Sequence, residues 1–450
     1  MAAEHLLIVH TAGDPRHYIG RLQQQGFRFS LIKKRPTPED RECFAQVVDW
    51  DYQQGLEQTL DLAGRLHARD PFAGVLSFSE SGVIIASLVA AHLGLPGNPP
   101  AAALRARNKY LMRQALAQAG LASPPFHLVR SAAQIHALLR QAGQPLVLKP
   151  ISGSSSYGVT RLEPGIGLPR LTARLEAVRT YIRDYRHHNP QYPFEFWLPP
   201  AGGGIPAADV FSPEEDFLLE GFIPGQQFSV DGLVSEDQVT CLGVIQIERI
   251  KGSEYFLEYE EWMPTRLGPA LESQIQETVA RAVRAIGLRR SCFHCEVKVN
   301  PQGIFVLELA ARRGADNISD FLQQVMGVDI YEEGVRLACG EPRYYKHPRP
   351  RCCMKMRYFL PQASGTLVEI EGAEQVRQDP RVSELELEFA PGDQILTPPA
   401  SFEFLGYLSV RGSTPQEAAA ALEELYPRVR FHILPPPAPE AAPALELQAG

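Results

Sequence analysis

The sequence predicts an α/β protein of more than one domain, and three features carry that reading. The first hundred residues alternate short apolar runs with helical stretches. Residues 292–312 suit a hairpin that sets two carboxylates side by side. A chain of 450 residues is also too long for one small core and suggests two or three domains.

The opening run His5-Leu-Leu-Ile-Val-His10 reads as a strand. A Gly/Asp/Pro loop, a helix over Arg16 to Gln25 and a strand over Phe27 to Lys33 follow it. A strand-helix-strand opening implies a parallel sheet. Val47-Val-Asp49, Gly74-Val-Leu-Ser-Phe78 and the apolar helix Val83 to Leu93 continue the alternation until Gly94-Leu-Pro-Gly-Asn-Pro-Pro100 ends it. This marks a first α/β domain.

A second segment begins with a helix over Ala101 to Ala119 and a strand over Pro145 to Pro150. The loop Ser152-Gly-Ser-Ser-Ser-Tyr-Gly158 and a strand over Val159 to Leu162 come next. A polar helix around Leu171 to Arg186 leads into a stretch rich in Pro, Gly and aromatics. Strands resume at Phe217 to Phe222 and Gln227 to Val234, and a helix over Leu271 to Ile286 runs into the hairpin. From about Met354 the pattern suits a third, smaller unit with short strands, including Gly406-Tyr-Leu-Ser-Val-Arg-Gly412. A helix over Pro415 to Leu425 and a final strand over Val429 to Ile433 complete it. The Pro/Ala/Glu-rich tail from 435 to 450 is expected to be disordered.

Composition narrows the function classes. The net charge is -8 and no long Lys/Arg block occurs, which argues against a nucleic-acid surface but leaves room for a small anionic ligand held by a few lysines. Of the seven Cys, only Cys292 and Cys295 have knuckle spacing, and they fall in an expected strand, so neither zinc nor a disulfide framework is expected. No signal peptide is visible and no apolar stretch reaches the ~20 residues of a membrane span. The expected setting is cytoplasmic, with no membrane partner.

The hairpin carries the chemistry. Asn300-Pro-Gln-Gly303 suits a three-residue loop, with Pro at the first turn position and Gly in a bulge. Pairing Asn300 with Ile304 then sets Glu296 opposite Glu308, with Lys298, His294 and Arg312 on the same face. The other face is Cys295, Val297, Val299, Phe305, Leu307 and Leu309. Like charges directly opposite repel unless a cation lies between them, and one or two carboxylates completed by phosphate oxygens is how Mg²⁺ is held.

Each further candidate has a plainer alternative. The Ser152 to Gly158 loop offers donors to phosphate oxygens, or is an ordinary hairpin connection. Lys149 ends an apolar strand at its mouth, either reaching the same phosphates or snorkelling. Glu220 ends a strand with free backbone beyond it, and could equally be solvated. Lys109 lies in a basic helical stretch that could be one solvated face. His294 is either a satisfied imidazole or a contact to metal ligands or substrate. Arg312 is either a clamp on an acyl or phosphoryl oxygen or half of a structural ion pair.

Taken in order, these pieces resemble the ATP-grasp superfamily, in the carboxylate-amine ligase branch of the L-amino acid ligases and carnosine synthases. The resemblance runs from about Gly74 to Ile433. Its carriers are Leu93-Gly-Leu-Pro-Gly97, Asn108-Lys-Tyr-Leu-Met-Arg113, Val147-Leu-Lys-Pro150 with its Ser/Gly loop, Glu220 to Asp231, Phe293-His-Cys-Glu296 and Glu308-Leu-Ala-Ala-Arg312. It implies an N-terminal Rossmann-like domain over 1–104, an ATP-grasp domain over 105–345 with a lid subdomain at about 122–225, and a small C-terminal domain over 346–434.

By the same resemblance, Lys109 and Lys149 contact ATP phosphates, and Gly153, Ser154, Ser155 and Ser156 cover them. Glu220 takes the adenine amino group, with the backbone of Phe222 and Ile223 completing the contact, and Gln227 meets the ribose. Glu296 and Glu308 bind one or two Mg²⁺, or Mn²⁺ in their place, and Arg312 holds the acyl phosphate. Glu80, Trp262 and His294, with Arg312, are the candidate substrate contacts. Ala310 stands where the family often has Asn, and Gln227 where a Glu is common. The implied reaction joins a small carboxylate, an amino acid, to an amine through an acyl phosphate with release of ADP, in a chain that admits a homodimer. A biotin-carboxylase-like or formyl-phosphate-forming enzyme, or a nucleotide-binding regulator without turnover, remain the alternatives.

Overall fold

The computed structural model describes residues 4–11, 14–154, 156–188, 196–202, 205–250, 256–315, 318–345, 349–398 and 400–435. Ser155 and the tail from 436 onward lie outside the described residues. The expected N-terminal alternation is present. Strands β1 (Glu4–Val9), β2 (Phe27–Lys33), β3 (Gln46–Asp49) and β4 (Gly74–Leu76) form a parallel sheet in the order β3-β2-β1-β4. β1 is buried along almost its whole length, from His5 to Val9, as a strand covered on both faces must be. The helix Val83–Leu93 is apolar all round because it is enclosed, with Val83 to Ala90 all buried.

The helix expected over Ala101 to Ala119 is two helices, Pro100–Arg107 and Lys109–Gln118. Asn108 separates them. It leaves the helical conformation (φ -97, ψ 106), and its side-chain oxygen accepts hydrogen bonds from the N–H groups of Tyr110 and Leu111. Such an N-cap is worth about 1 kcal/mol. The break makes Lys109 the first residue of a helix instead of a point on a solvated face, and Lys109 is buried.

The segment expected as a lid forms a four-stranded antiparallel sheet, β5 (Phe126–Val129), β6 (Leu146–Pro150), β7 (Thr160–Leu162) and β8 (Phe217–Gly221), in the order β5-β8-β6-β7. The long helix Leu168–His188 packs on it through Leu171, Leu175 and Ile182.

The central sheet has eight strands. β9 (Gln226–Ser235), β10 (Gln238–Arg249), β11 (Glu258–Met263), β12 (Arg290–Asn300) and β13 (Gly303–Ala310) come from the middle of the chain; β14 (Cys353–Phe359), β16 (Val382–Leu387) and β18 (Gly406–Gly412) belong to the C-terminal unit. Their order is β13-β12-β9-β10-β11-β14-β18-β16, so one ladder crosses from the middle of the chain into the C-terminal unit. The rest of that unit is a small sheet, β17-β15-β19, made of β15 (Gly365–Glu371), β17 (Gln394–Ile395) and β19 (Arg430–Leu434), with the helix Pro415–Leu425. Among the described residues no helix is long and apolar enough to cross a membrane.

The hairpin pairs Glu296 with Glu308, but by a different route from the one expected. The loop has two residues, Pro301 and Gln302, so Asn300 faces Gly303 and not Ile304. An irregularity between Glu296 and Val297, opposite Glu308 and Val306, restores the offset. The face of β13 changes accordingly. Ile304, Val306 and Leu309 join the core with Cys295, Val297 and Val299, whereas Leu307, expected in the core, lines a cavity.

Arg113 fastens the hairpin to the lid. Its side chain is fully buried and donates from Nη1 to the Val306 carbonyl (2.7 Å), while Nη2 stands 2.8 Å from the Glu220 carboxylate of β8. Removing Arg113 leaves the buried Glu220 carboxylate with one cation instead of two and takes a donor from the Val306 carbonyl. Arg113→Met is therefore expected to lower the unfolding free energy by about 3–5 kcal/mol in urea titration. A loss under about 1 kcal/mol would mean that Glu220 does not depend on it.

Candidate active site

An open cavity lies between the lid and the central sheet. Ten predicted residues line it: Lys109, Lys149, Ser154, Ser156, Glu220, Phe222, Ile223, Gln227, Glu296 and Glu308. Gly153 belongs to the same wall through its carbonyl, which accepts from Lys109 Nζ at 2.7 Å. Its φ of 109° is a conformation suited to glycine, and a Cβ there would come within 2.5 Å of the Phe196 ring.

On the sheet side, the two carboxylates have different partners. Glu308 Oε1 lies 2.8 Å from Lys109 Nζ. Glu296 Oε2 accepts from Gln227 Nε2 at 2.8 Å and lies 3.5 Å from Arg249 Nη2. Burial would raise the Glu296 carboxyl, but the nearby His294 and Arg249 hold it down to about 2. His294 Nδ1 is 3.0 Å from the buried carboxylate of Asp231 and Nε2 is 3.9 Å from Glu296. Burial lowers its pKa, yet these two acids push it up to about 10.

On the lid side, Glu220 is held between Lys149 Nζ (2.7 Å) and Arg113 Nη2 (2.8 Å). Burial opposes its charge, but those two cations keep its carboxyl below the usual range. The Phe222 N–H donates to Pro145, and the Ile223 carbonyl accepts from Lys298 Nζ at 3.0 Å. Lys298 also lies over the Phe222 ring at 5.1 Å, and burial with the charges of Arg249 and Lys149 lowers it to about 8.

The residues fit a hard divalent cation. Two carboxylates share one wall, both keep part of their surface toward the cavity (20 and 29% of the side chain), and lysines stand beside them for anionic oxygens. Among the described residues no group of three or more His, Cys, Asp or Glu converges on a metal position, so substrate oxygens or water would complete the shell.

Two predicted substrate residues meet each other instead of this cavity. Glu80 Oε2 is 2.5 Å from Arg312 Nε, and Glu80 Oε1 is 3.0 Å from Arg107 Nη1. Burial disfavours the Glu80 charge, but Arg312 and Arg107 hold the carboxyl down to about 2. Arg312 lines a second open cavity beside the helix Val83–Leu93. Trp262 is elsewhere. Gln246 pairs with both Trp262 and Phe228, and Phe228 pairs with Val297, so Trp262 is on the sheet face opposite Glu296. Its neighbour Glu261 has the parity of Gln227 and Lys298, and accepts from Tyr358 Oη at 3.3 Å.

Arg249 was not anticipated. It ends β10 and reaches Gln227 (2.7 Å), Ser156 (3.3 Å), Glu258 (3.0 Å) and the Phe256 carbonyl, as well as Glu296. Its signal would have been the alternation Ile245-Gln-Ile-Glu-Arg249 on a strand. Asp231, which anchors His294 and accepts from the Gly314 N–H at 2.9 Å, was visible only as an acid inside a strand run.

The chain is similar to proteins of known activity. A family model described as an ATP-grasp domain matches residues 207–320, and one described as L-amino acid ligase C-terminal domain 2 matches residues 357–433. Carnosine synthase 1 of Mus musculus is 25% identical over 369 residues, covering 78% of this chain and 42% of that protein. The chain thus spans about two fifths of that relative's length. Alanine–anticapsin ligase of Bacillus subtilis is 25% identical over 342 residues, covering 69% of this chain and 66% of its own. The crystal structure of L-amino acid ligase from Bacillus licheniformis superposes with a TM-score of 0.80 at 21% identity, covering 96% of this chain and 99% of that one. The fold is that of the L-amino acid ligase structure, with an ATP-grasp domain matched over residues 207–320 and an L-amino acid ligase C-terminal domain 2 over residues 357–433.

Proposed function

We propose that the protein is an ATP-dependent carboxylate-amine ligase that joins an amino acid or similar small carboxylate to an amine through an acyl phosphate, releasing ADP and phosphate. The observation that carries this reading is the pairing of Glu296 with Glu308 on one wall of a cavity whose other wall holds Lys149 and the Ser/Gly loop. The similarity to carnosine synthase and alanine–anticapsin ligase supports the amide-forming class.

The substrate carboxylate would attack the γ-phosphate, and an amine would then displace phosphate from the acyl carbon. Lys109 and Lys149 each have three N–H donors. One on Lys149 is given to Glu220 and two on Lys109 to Glu308 and Gly153, so both lysines keep a donor for phosphate oxygens. Glu220 is acceptor-only, and with one oxygen on Lys149 and the other on Arg113 it keeps lone pairs for the adenine amino group. Adenine contact by the neighbouring backbone would use the Phe222 carbonyl and the Ile223 N–H. Gln227, already bridging Arg249 and Glu296, is placed as much behind the metal carboxylate as beside a ribose. A Mg²⁺ bound by Glu296 and Glu308 would neutralise charge on the transferring phosphoryl group. Arg312, neutralised by Glu80 in this arrangement, would turn part of its guanidinium to the acyl phosphate when substrate arrives.

Glu296→Ala and Glu308→Ala are each expected to abolish ATP turnover while the far-UV spectrum and melting temperature stay near those of the parent. ADP release in Mg²⁺ at the parent rate by both variants would overturn the metal assignment. Arg312→Ala is expected to lower turnover by at least tenfold with ATP affinity by calorimetry within about threefold, a transition-state loss of roughly 1.4 kcal/mol or more. The opposite split would leave Arg312 as a structural partner of Glu80. Arg249→Met is expected to weaken ATP binding and turnover together, because it unties Ser156 and Glu296 at once; parent kinetics would show that the guanidinium is dispensable. The reaction class itself is tested by mass spectrometry of products from paired amino acids and amines with ATP. A product equal to their sum less water is expected, and phosphate release with bicarbonate or formate alone would favour the carboxylase-like alternative.

A further inference from the structure

The loop that would cover the phosphates is seated on a cluster of aromatic rings. At its start, Ser152 Oγ donates to the Phe196 carbonyl at 2.9 Å and Gly153 lies against the Phe196 ring. At its end, Tyr157 has ring centroids 5.8 Å from Tyr181 and 5.6 Å from Tyr185, both on the helix Leu168–His188. Tyr185 in turn meets Phe196 edge-on at 5.1 Å. Tyr157 is fixed between two residues in left-handed conformations, Ser156 (φ 56) and Gly158 (φ 70), so its ring and the backbone of the loop move together. A side chain at Gly158 would come within 2.9 Å of Val178 and 3.0 Å of Pro150, which leaves that end little room to rearrange.

One ring of the cluster comes from far away in the chain. Phe402 lies edge-on to Tyr157 and Tyr181, at 6.2 Å from each, and is 7% exposed. It belongs to the segment Ser401-Phe-Glu-Phe404, in which two aromatics alternate around an acid. Phe404 stacks on Tyr358 of β14 at 4.3 Å, and the next residue, Leu405, donates its N–H to the Phe359 carbonyl of the same strand at 2.7 Å. The segment therefore ties the C-terminal unit's strand to the lid, with one ring on each.

We propose that Phe402 is a positioning residue for the Ser152 to Gly158 loop, through which the C-terminal unit holds that loop over the bound nucleotide. This rests on the ligase reading only for its catalytic consequence. An edge-on aromatic contact stabilises beyond the area it buries, and Phe402 makes two of them with rings that seat the loop. An unseated loop would let water reach the acyl phosphate, which would then hydrolyse in place of reacting with the amine.

The experiment compares the full chain with Phe402→Ala and, as a variant that keeps apolar bulk, Phe402→Leu. Amide hydrogen exchange of residues 152–158 and ATP affinity are read first, since neither depends on the reaction. The alanine variant is expected to exchange about tenfold faster in that loop and to bind ATP several-fold more weakly, with Phe402→Tyr restoring both. Phosphate released per amide formed is expected to rise from near one to two or more. Loop exchange and ATP affinity at parent values in folded Phe402→Ala or Phe402→Leu would overturn the proposal. Absence of amide product in the parent would overturn the ligase reading and leave the loop result standing.

Discussion

Two carboxylates facing each other across β12 and β13 set the terms for the site. Opposed like charges on neighbouring strands destabilise a sheet, so each must be compensated by groups that β12 and β13 do not supply alone. Lys109 reaches Glu308 from a helix that starts only because Asn108 breaks the one before it. Gln227 and Arg249 reach Glu296 from β9 and β10, and the His294–Asp231 pair stands behind it. The compensation is divided between a cation on Glu308 and an amide and a guanidinium on Glu296, with the His294 ring nearby. An arrangement balanced in this way can admit a divalent cation and phosphates by exchanging partners, without first creating a bare pair of charges.

The same pairing depends on a local irregularity. With a two-residue loop, a regular ladder from Asn300 and Gly303 would set Glu296 opposite Leu307. The extra residue near Glu296 brings Glu308 opposite and turns Leu307 toward the cavity. Val306 goes to the core, where its carbonyl receives Arg113. Bulges beside active sites often re-aim a side chain in this manner. Here the bulge, the buried Arg113 and the lid carboxylate Glu220 form one linked arrangement, so the hairpin geometry and the seat of the lid are mutually dependent.

These relations explain which parts of the molecule could be read in advance. The first domain's strands and the helix Val83–Leu93 follow from local periodicity, which is a property of contiguous residues. The Glu296–Glu308 pairing was legible too, although an assumed bulge in the loop stood in for the one at Glu296. Arg249, Arg113 and Asp231 act across 47, 107 and 63 positions of sequence, on Glu296, Glu220 and His294, and a strand pattern says nothing about such partners. Asn108 was read as helix interior because basic and apolar residues continue on both sides of it. Trp262 failed as a candidate for the opposite reason: its residue type suited substrate contact, but parity on β11 put it on the wrong face and gave that place to Glu261.

The sheet topology also separates two kinds of connection. From β13 through β14 to β16, the Glu296–Glu308 hairpin and part of the C-terminal unit are joined by a continuous ladder. The lid is a separate sheet, and its contacts with that ladder and the segments packed on it include Arg113 with Glu220, Lys298 with the Ile223 carbonyl, Arg249 with Ser156 and the rings around Phe402. Ladder hydrogen bonds are many and mutually reinforcing, whereas a cation held by a hydroxyl or a carbonyl can pass to a phosphate oxygen with a net gain, because charge-assisted bonds are the stronger ones. Arg249 and Lys298 are thus the attachments most readily exchanged when an anionic nucleotide enters. The aromatic contacts have no such competitor, so they would keep the loop seated while the polar attachments change hands.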